Sequence, residues 1–160
     1  MTAAILILLL VTAQRLVELD MARRHTRALL ARGGYEVGAG HYPMIVAVHT
    51  AWLACLWLTA PGRPIDWLLI GFYALLQCLR IWVLATLGER WTTRIIVLPG
   101  APLVAAGPYR FVRHPNYLVV VGEIAVLPLA FGLIWVALIF TILNAAVLAV
   151  RIKAEQATLS

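Results

Sequence analysis

Apolar residues run along this chain in long blocks, and polar residues gather between them. The first block extends from about Ala3 to Leu19 and turns polar at Gln14, Arg15 and Glu18. The second covers Met44 to Ala60, and the third Trp67 to Leu87. A bilayer core of about 30 Å is crossed by roughly 20 apolar residues of helix, so each block fits one crossing. The last block, Leu118 to Val150, is 33 residues. At 1.5 Å per residue it would reach about 50 Å, too long for one crossing. Pro128 and Gly132 supply a break. The pattern predicts an all-α integral membrane protein with five transmembrane helices over 3–19, 44–60, 67–87, 116–131 and 133–150, the last two forming a hairpin.

The segments between the blocks are 20–42 and 88–116, with a tail at 151–160. The first should begin as a helix, because Leu16, Leu19, Ala22, Leu29 and Leu30 make a loose apolar stripe that Gly33-Gly34 would stop. Such a stretch is expected to lie along the membrane surface. The second contains Ile95-Ile96-Val97-Leu98, a strand-like run, and the turn signals Pro99-Gly100 and Gly107-Pro108. A loop of that length is usually functional or disordered. Its Trp91, Tyr109 and Phe111 argue against disorder. His114-Pro115 marks the start of the fourth span, since the residue before proline is pushed to an extended shape and proline suits the first helical position.

Composition supports the membrane reading. Hydrophobic residues make up 63% of the chain, against roughly 45–50% in a soluble domain. One membrane-embedded domain accounts for all 160 residues. The net charge of +6 is clustered: ten of the 13 Lys and Arg residues fall in 20–42, 88–116 and the tail. Positive loops stay inside, which predicts N-terminus out, C-terminus in and both long loops cytoplasmic. The apolar N-terminus lacks a basic leader and reads as a retained span. No nucleic-acid motif accompanies the charge. Cys55 and Cys78 lie in apolar blocks without metal-ligand spacing, predicting two buried thiols, no disulfide and no metal.

The densest polar run is 107–117, where two arginines, a histidine and two tyrosines gather at the mouth of the fourth span. Free N–H groups there attract carboxylates and phosphates, although an ordinary interfacial belt of Tyr and Arg has the same look. Asn144, Arg151 and Glu155 share one helical face, with Arg151 and Glu155 as an i,i+4 pair. Arg80 and Gln77 in span three and Glu123 in span four are ionisable or polar groups in costly positions. Arg80 and Glu123 either pair structurally or serve a substrate. His49 reads as a hydrogen-bonded core group. The chain has no Gly-x-Gly-x-x-Gly, no P-loop and no Gly-x-Ser-x-Gly elbow.

Leu87-Gly88, Trp91, Leu103-Val104, Gly107-Pro108-Tyr109, Arg113-His114-Pro115-Asn116-Tyr117 and Arg151…Glu155 resemble the isoprenylcysteine carboxyl methyltransferase family. Arg15-Leu16-Val17-Glu18-Leu19, Gly33-Gly34, His41-Tyr42-Pro43, His49, Arg94 to Gly100 and Asn144 further resemble a bacterial branch associated with type III polyketide synthases, which O-methylates alkylpyrones and phenolic lipids. The resemblance implies S-adenosylmethionine as cofactor. It implies a cofactor site of Ala101, Pro102, Leu103, Val104, Tyr109, His114, Pro115, Asn116, Tyr117 and Glu155, in a cytoplasmic loop closed by the far C-terminal end. It also places Arg151 toward the methyl acceptor. Arg80 and Asn144 are expected beside the acceptor, and Glu123 as a base for a neutral phenol. Glu155-Gln156 stands where the family usually has two acidic residues, and Val119 where many members have glycine. With Ser160 as the last residue, a lipophilic small molecule drawn from the bilayer is the expected acceptor. The other readings are a prenylcysteine carboxyl methyltransferase, an NADPH-dependent membrane sterol reductase and a small multidrug-type transporter.

Overall fold

The computed structural model describes residues 2–159. Five helices carry the fold: α1 (Ala3–Ala31), α2 (Tyr42–Thr59), α3 (Trp67–Leu87), α4 (Pro115–Ala130) and α5 (Ile134–Leu159). Two short strands, β1 (Tyr35–Val37) and β2 (Ile95–Val97), pair antiparallel with Glu36 opposite Ile96. The fold is all-helical as expected, apart from this short strand pair. The Ile95 run finds a partner in the first loop, and the two strands clip together the segments before α2 and after α3.

Three helical stretches, Ala39–Thr59, Trp67–Arg90 and Ile134–Thr158, are long and apolar enough to cross a membrane. α4 is apolar but only 16 residues, or about 24 Å. α1 meets Arg15, Glu18 and Asp20 where an apolar span would continue. It also does not stop near Leu19 and turn along the surface. It runs unbroken for 29 residues, about 44 Å. Its second half stays in line because Ala22 buries against Val83 of α3 and Trp91.

Local chemistry sets the helix ends. Asp66 caps α3, accepting from the N–H groups of Leu68 at 3.0 Å and Leu69 at 3.2 Å. Pro115 opens α4, as the sequence predicts. The predicted break falls in place: the N–H of Leu133 donates to Pro128 O at 2.9 Å, and that of Gly132 to Leu129 O at 2.9 Å. Gly132 takes φ +68°, a left-handed turn open to glycine.

The apolar core joins Leu8 and Val11 of α1, Trp52 and Leu56 of α2, Tyr73 of α3, and Ile124, Leu127 and Phe131 around the hairpin. The Trp52 indole donates to Ile124 O at 3.2 Å. A Cβ on Gly122 would meet Leu76 at 2.9 Å, so the missing side chain lets α3 and α4 approach closely. Outward faces are apolar too: Leu58, Leu68, Leu75 and Trp135 are exposed, as a lipid-facing surface requires. Cys78 is exposed among them and Cys55 is half-buried, so the expectation of two buried thiols is corrected. Within α3, Tyr73, Arg80 and Val83 face inward, and Cys78 lies on the other side.

One level of the bundle is polar. Glu123 of α4 accepts from Arg80 Nε at 2.8 Å, from Arg15 Nη2 at 2.6 Å and from Gln77 Nε2 at 2.8 Å, and also pairs with Arg80 Nη2. Glu18 accepts from Arg15 at 3.0 Å, from Arg80 at 3.3 Å and from Gln14 at 2.8 Å. Two arginines and two glutamates cancel in charge and tie α1, α3 and α4 together. His49 contacts the Ile45 carbonyl of its own helix, Nδ1 to O 2.8 Å, and is only half-buried.

Candidate functional site

The loop after α3 folds back over the ends of the helices. Trp91 buries its ring, and its carbonyl meets His25 Nδ1 at 2.8 Å. Its indole reaches Asn116 Oδ1 at 3.5 Å. Farther along, Gly107 has φ +54°, and a Cβ there would sit 2.3 Å from Thr86 Oγ1. Glycine is the residue that fits both constraints. The turn it begins, Gly107–Arg110, brings Tyr109 inward. His114 then sits before α4 with φ −131° and ψ 63°, and its side chain makes no capping bond. Its ring instead stacks on Tyr117, 5.2 Å between centroids at 18°.

α5 meets this segment from the far end of the chain. Arg151 is buried. Its Nε donates to the Tyr117 hydroxyl at 2.8 Å, and its Nη1 donates to Thr93 O at 2.6 Å. The Tyr117 hydroxyl donates to Glu155 Oε2 at 2.6 Å. The expected direct pair of Arg151 with Glu155 is thus corrected: among the described residues the phenol of Tyr117 stands between them. Burial, and next the nearby Glu155 carboxylate, push the Tyr109 phenol up to about 12, so it remains a donor at neutral pH.

These groups surround a cleft of about 160 Å³ that opens to solvent. Of the sequence-predicted residues, Tyr109, His114, Asn116, Tyr117, Arg151 and Glu155 line it together. Pro115 is buried beneath it as the first residue of α4. Ala101, Pro102, Leu103 and Val104 do not line it; Leu103 is 74% exposed. That stretch is tied to the rim through Arg90 Nη1, which donates to Pro102 O at 2.6 Å. Asn144 is buried in α5, about 10 Å along the axis from Arg151. Arg80 and Glu123 belong to the polar level between helices and do not line the cleft.

Among the lining residues to which sequence reasoning assigned no site role are Arg90, Trp91, Thr92, Ile95 and Ile96. The arginine was visible as loop charge, but nothing in its spacing showed that the loop folds back.

The profile of the isoprenylcysteine carboxyl methyltransferase (ICMT) family matches residues 69–160, more than half of the chain. The chain belongs to this family. ICMT-family proteins are membrane methyltransferases, and every residue lining the cleft, from Leu87 to Glu155, falls inside the matched segment. The chain is also 37% identical over 160 residues to the uncharacterized protein YpbQ of Bacillus subtilis, covering 96% of this chain and 95% of that one. An uncharacterized protein of Haemophilus influenzae is 28% identical over 156 residues, covering 94% and 91%. No solved structure gives a significant match. Relatives without an assigned activity leave the polyketide-associated branch as a resemblance, whereas the ICMT membership rests on the matched segment itself.

Proposed function

We propose that this protein is an S-adenosylmethionine-dependent O-methyltransferase that acts on a lipophilic acceptor at the cytoplasmic face of a bacterial membrane. The observation that carries the reading is the meeting of Tyr117 with Arg151 and Glu155. It closes the 107–117 segment against the C-terminal helix and makes one cleft from two distant parts of the chain.

The lining fits the donor's chemistry. S-adenosylmethionine carries an aromatic base, a cationic sulfonium and an amino acid end, and it supplies an electrophilic methyl group. Trp91 and Tyr109 offer aromatic surface. Glu155 offers a carboxylate for the ammonium or sulfonium charge, and Arg90 and Arg113 offer cations for the carboxylate. Arg151 lines the same cleft, and its charge would hold an acceptor oxyanion there. An acceptor that arrives ionised needs no strong base, so alignment and exclusion of water supply most of the rate.

The test is incubation of purified protein with labelled S-adenosylmethionine and a panel of alkylpyrones, alkylresorcinols and prenylcysteines. Wild type should label at least one acceptor. Arg151→Ala and His114→Ala should lose more than about 100-fold while inserting and purifying normally. Full turnover in both variants would refute the assignment. Calorimetric binding of NADPH, but not S-adenosylhomocysteine, would transfer the site to a reductase.

A further inference from the structure

A second cavity of about 400 Å³ opens beside the first, between the second half of α1 and the start of α2. Leu19, Arg23, Thr26 and Arg27 line it from α1. These positions follow i, i+4, i+7 and i+8 and so share one helical face. Arg23 and Arg27 have no acidic partner among the described residues; their neighbour Arg24 is the one that pairs with Asp20. Across the cavity stands Arg94, its Cζ 4.1 Å above the Tyr42 ring and its Nη1 2.7 Å from Glu36 Oε1. No acidic side chain lines the space itself.

Polarity is graded along this cavity. Leu19 and Val46 form its apolar part, nearer the helix cores, and the arginines stand toward the loop end. This grading suits an amphiphile with its tail toward the bilayer and an anionic head toward the loops. The space also adjoins the cleft. Arg94 lines both. Thr93 lines this cavity, and its carbonyl accepts from Arg151 of the other at 2.6 Å.

We propose that this cavity is the acceptor site, and that it selects long-chain acids whose ionised oxygen is gathered by Arg23, Arg27 and Arg94 and passed across Thr93 to Arg151. The inference rests on the methyltransferase reading above. In the transfer, the ionised oxygen forms a bond to the methyl carbon of the sulfonium donor. The carbon–sulfur bond breaks, and its electron pair leaves on sulfur as a neutral thioether. No proton has to move.

The test uses the Arg23→Gln/Arg27→Gln double variant in detergent, far from the residues assigned to the donor. Titration with a fluorescent long-chain carboxylate should show binding to wild type and at least about tenfold weaker binding to the variant. Calorimetry with S-adenosylhomocysteine should give equal affinity in both, which also reports that the variant is folded. The single variants serve the same comparison if the double variant does not accumulate. KM for an acidic acceptor should rise by a similar factor. Equal probe affinity in wild type and variant overturns the site while leaving the transferase reading intact. Displacement of the probe by phosphatidylglycerol in mixed micelles as readily as by unlabelled acid makes it a phospholipid contact and also overturns it. If wild type transfers no methyl group but probe binding still depends on the arginines, the transferase reading fails and the anion site stands.

Discussion

The hydroxyl of Tyr117 accepts from a buried arginine and donates to a carboxylate, so one oxygen holds two opposite charges in place. A hydrogen bond to a charged group contributes about 1.5–3 kcal/mol. Tyr117→Phe keeps the ring stacked on His114 and removes only that oxygen. Affinity for S-adenosylhomocysteine should fall about 10- to 100-fold by calorimetry, and the melting temperature should fall by several degrees. An unaltered affinity would mean that Glu155 and Arg151 hold their places without the bridge. The sequence made part of this legible. Helical arithmetic put Arg151 and Glu155 on one face, and the His114-Pro115 pair marked the start of α4. A contact across 34 residues, with a phenol inserted between two charges, leaves no trace in spacing. The 101–104 stretch shows the reverse case: a motif carried over by resemblance sits at the rim, outside the lining.

At the scale of elements, Glu123 links three helices. Its carboxylate meets Arg15, Arg80 and Gln77, and its side chain is 1% exposed. Breaking a buried pair leaves the partner charge without compensation, at about 3–5 kcal/mol. Glu123→Ala should therefore lower thermal stability in detergent by roughly that amount. The isosteric Glu123→Gln should lose activity mildly and equally at all pH values. A loss concentrated at low pH, where a neutral acceptor ionises less by itself, would instead make Glu123 a base. Pairing of Arg80 with Glu123 was open at the level of sequence because two residues 43 apart on separate spans need a known packing to meet. The helix break was readable because Pro128 and Gly132 act locally. The three-residue strand β1 was not, since it exists only by pairing with β2. The straight run of α1 was hidden for a similar reason: its second half is held by contacts with Val83 and Trp91, not by its own stripe.

For the whole molecule, both cavities, the strand pair and most of the positive charge lie at one end of the bundle. The topology proposed for it has that end in the cytoplasm. A green fluorescent protein fused after Ser160 should fluoresce, and alkaline phosphatase inserted at Gly62 should be active. The opposite pair of results would put the cleft outside. Hydropathy made the membrane character plain, yet it could not tell a lipid-facing position from an interior one, since both are apolar; Cys78 is the instance. The two cavities also divide the polypeptide between them. The cleft draws on Leu87 to Glu155, whereas most of the second wall comes from Leu19 to Val46. In the function proposed above, one stretch would hold the methyl donor and the other would meet the acceptor. A lineage built this way can broaden its clientele by rewriting its opening third, without relearning how to handle the reagent that all its clients share.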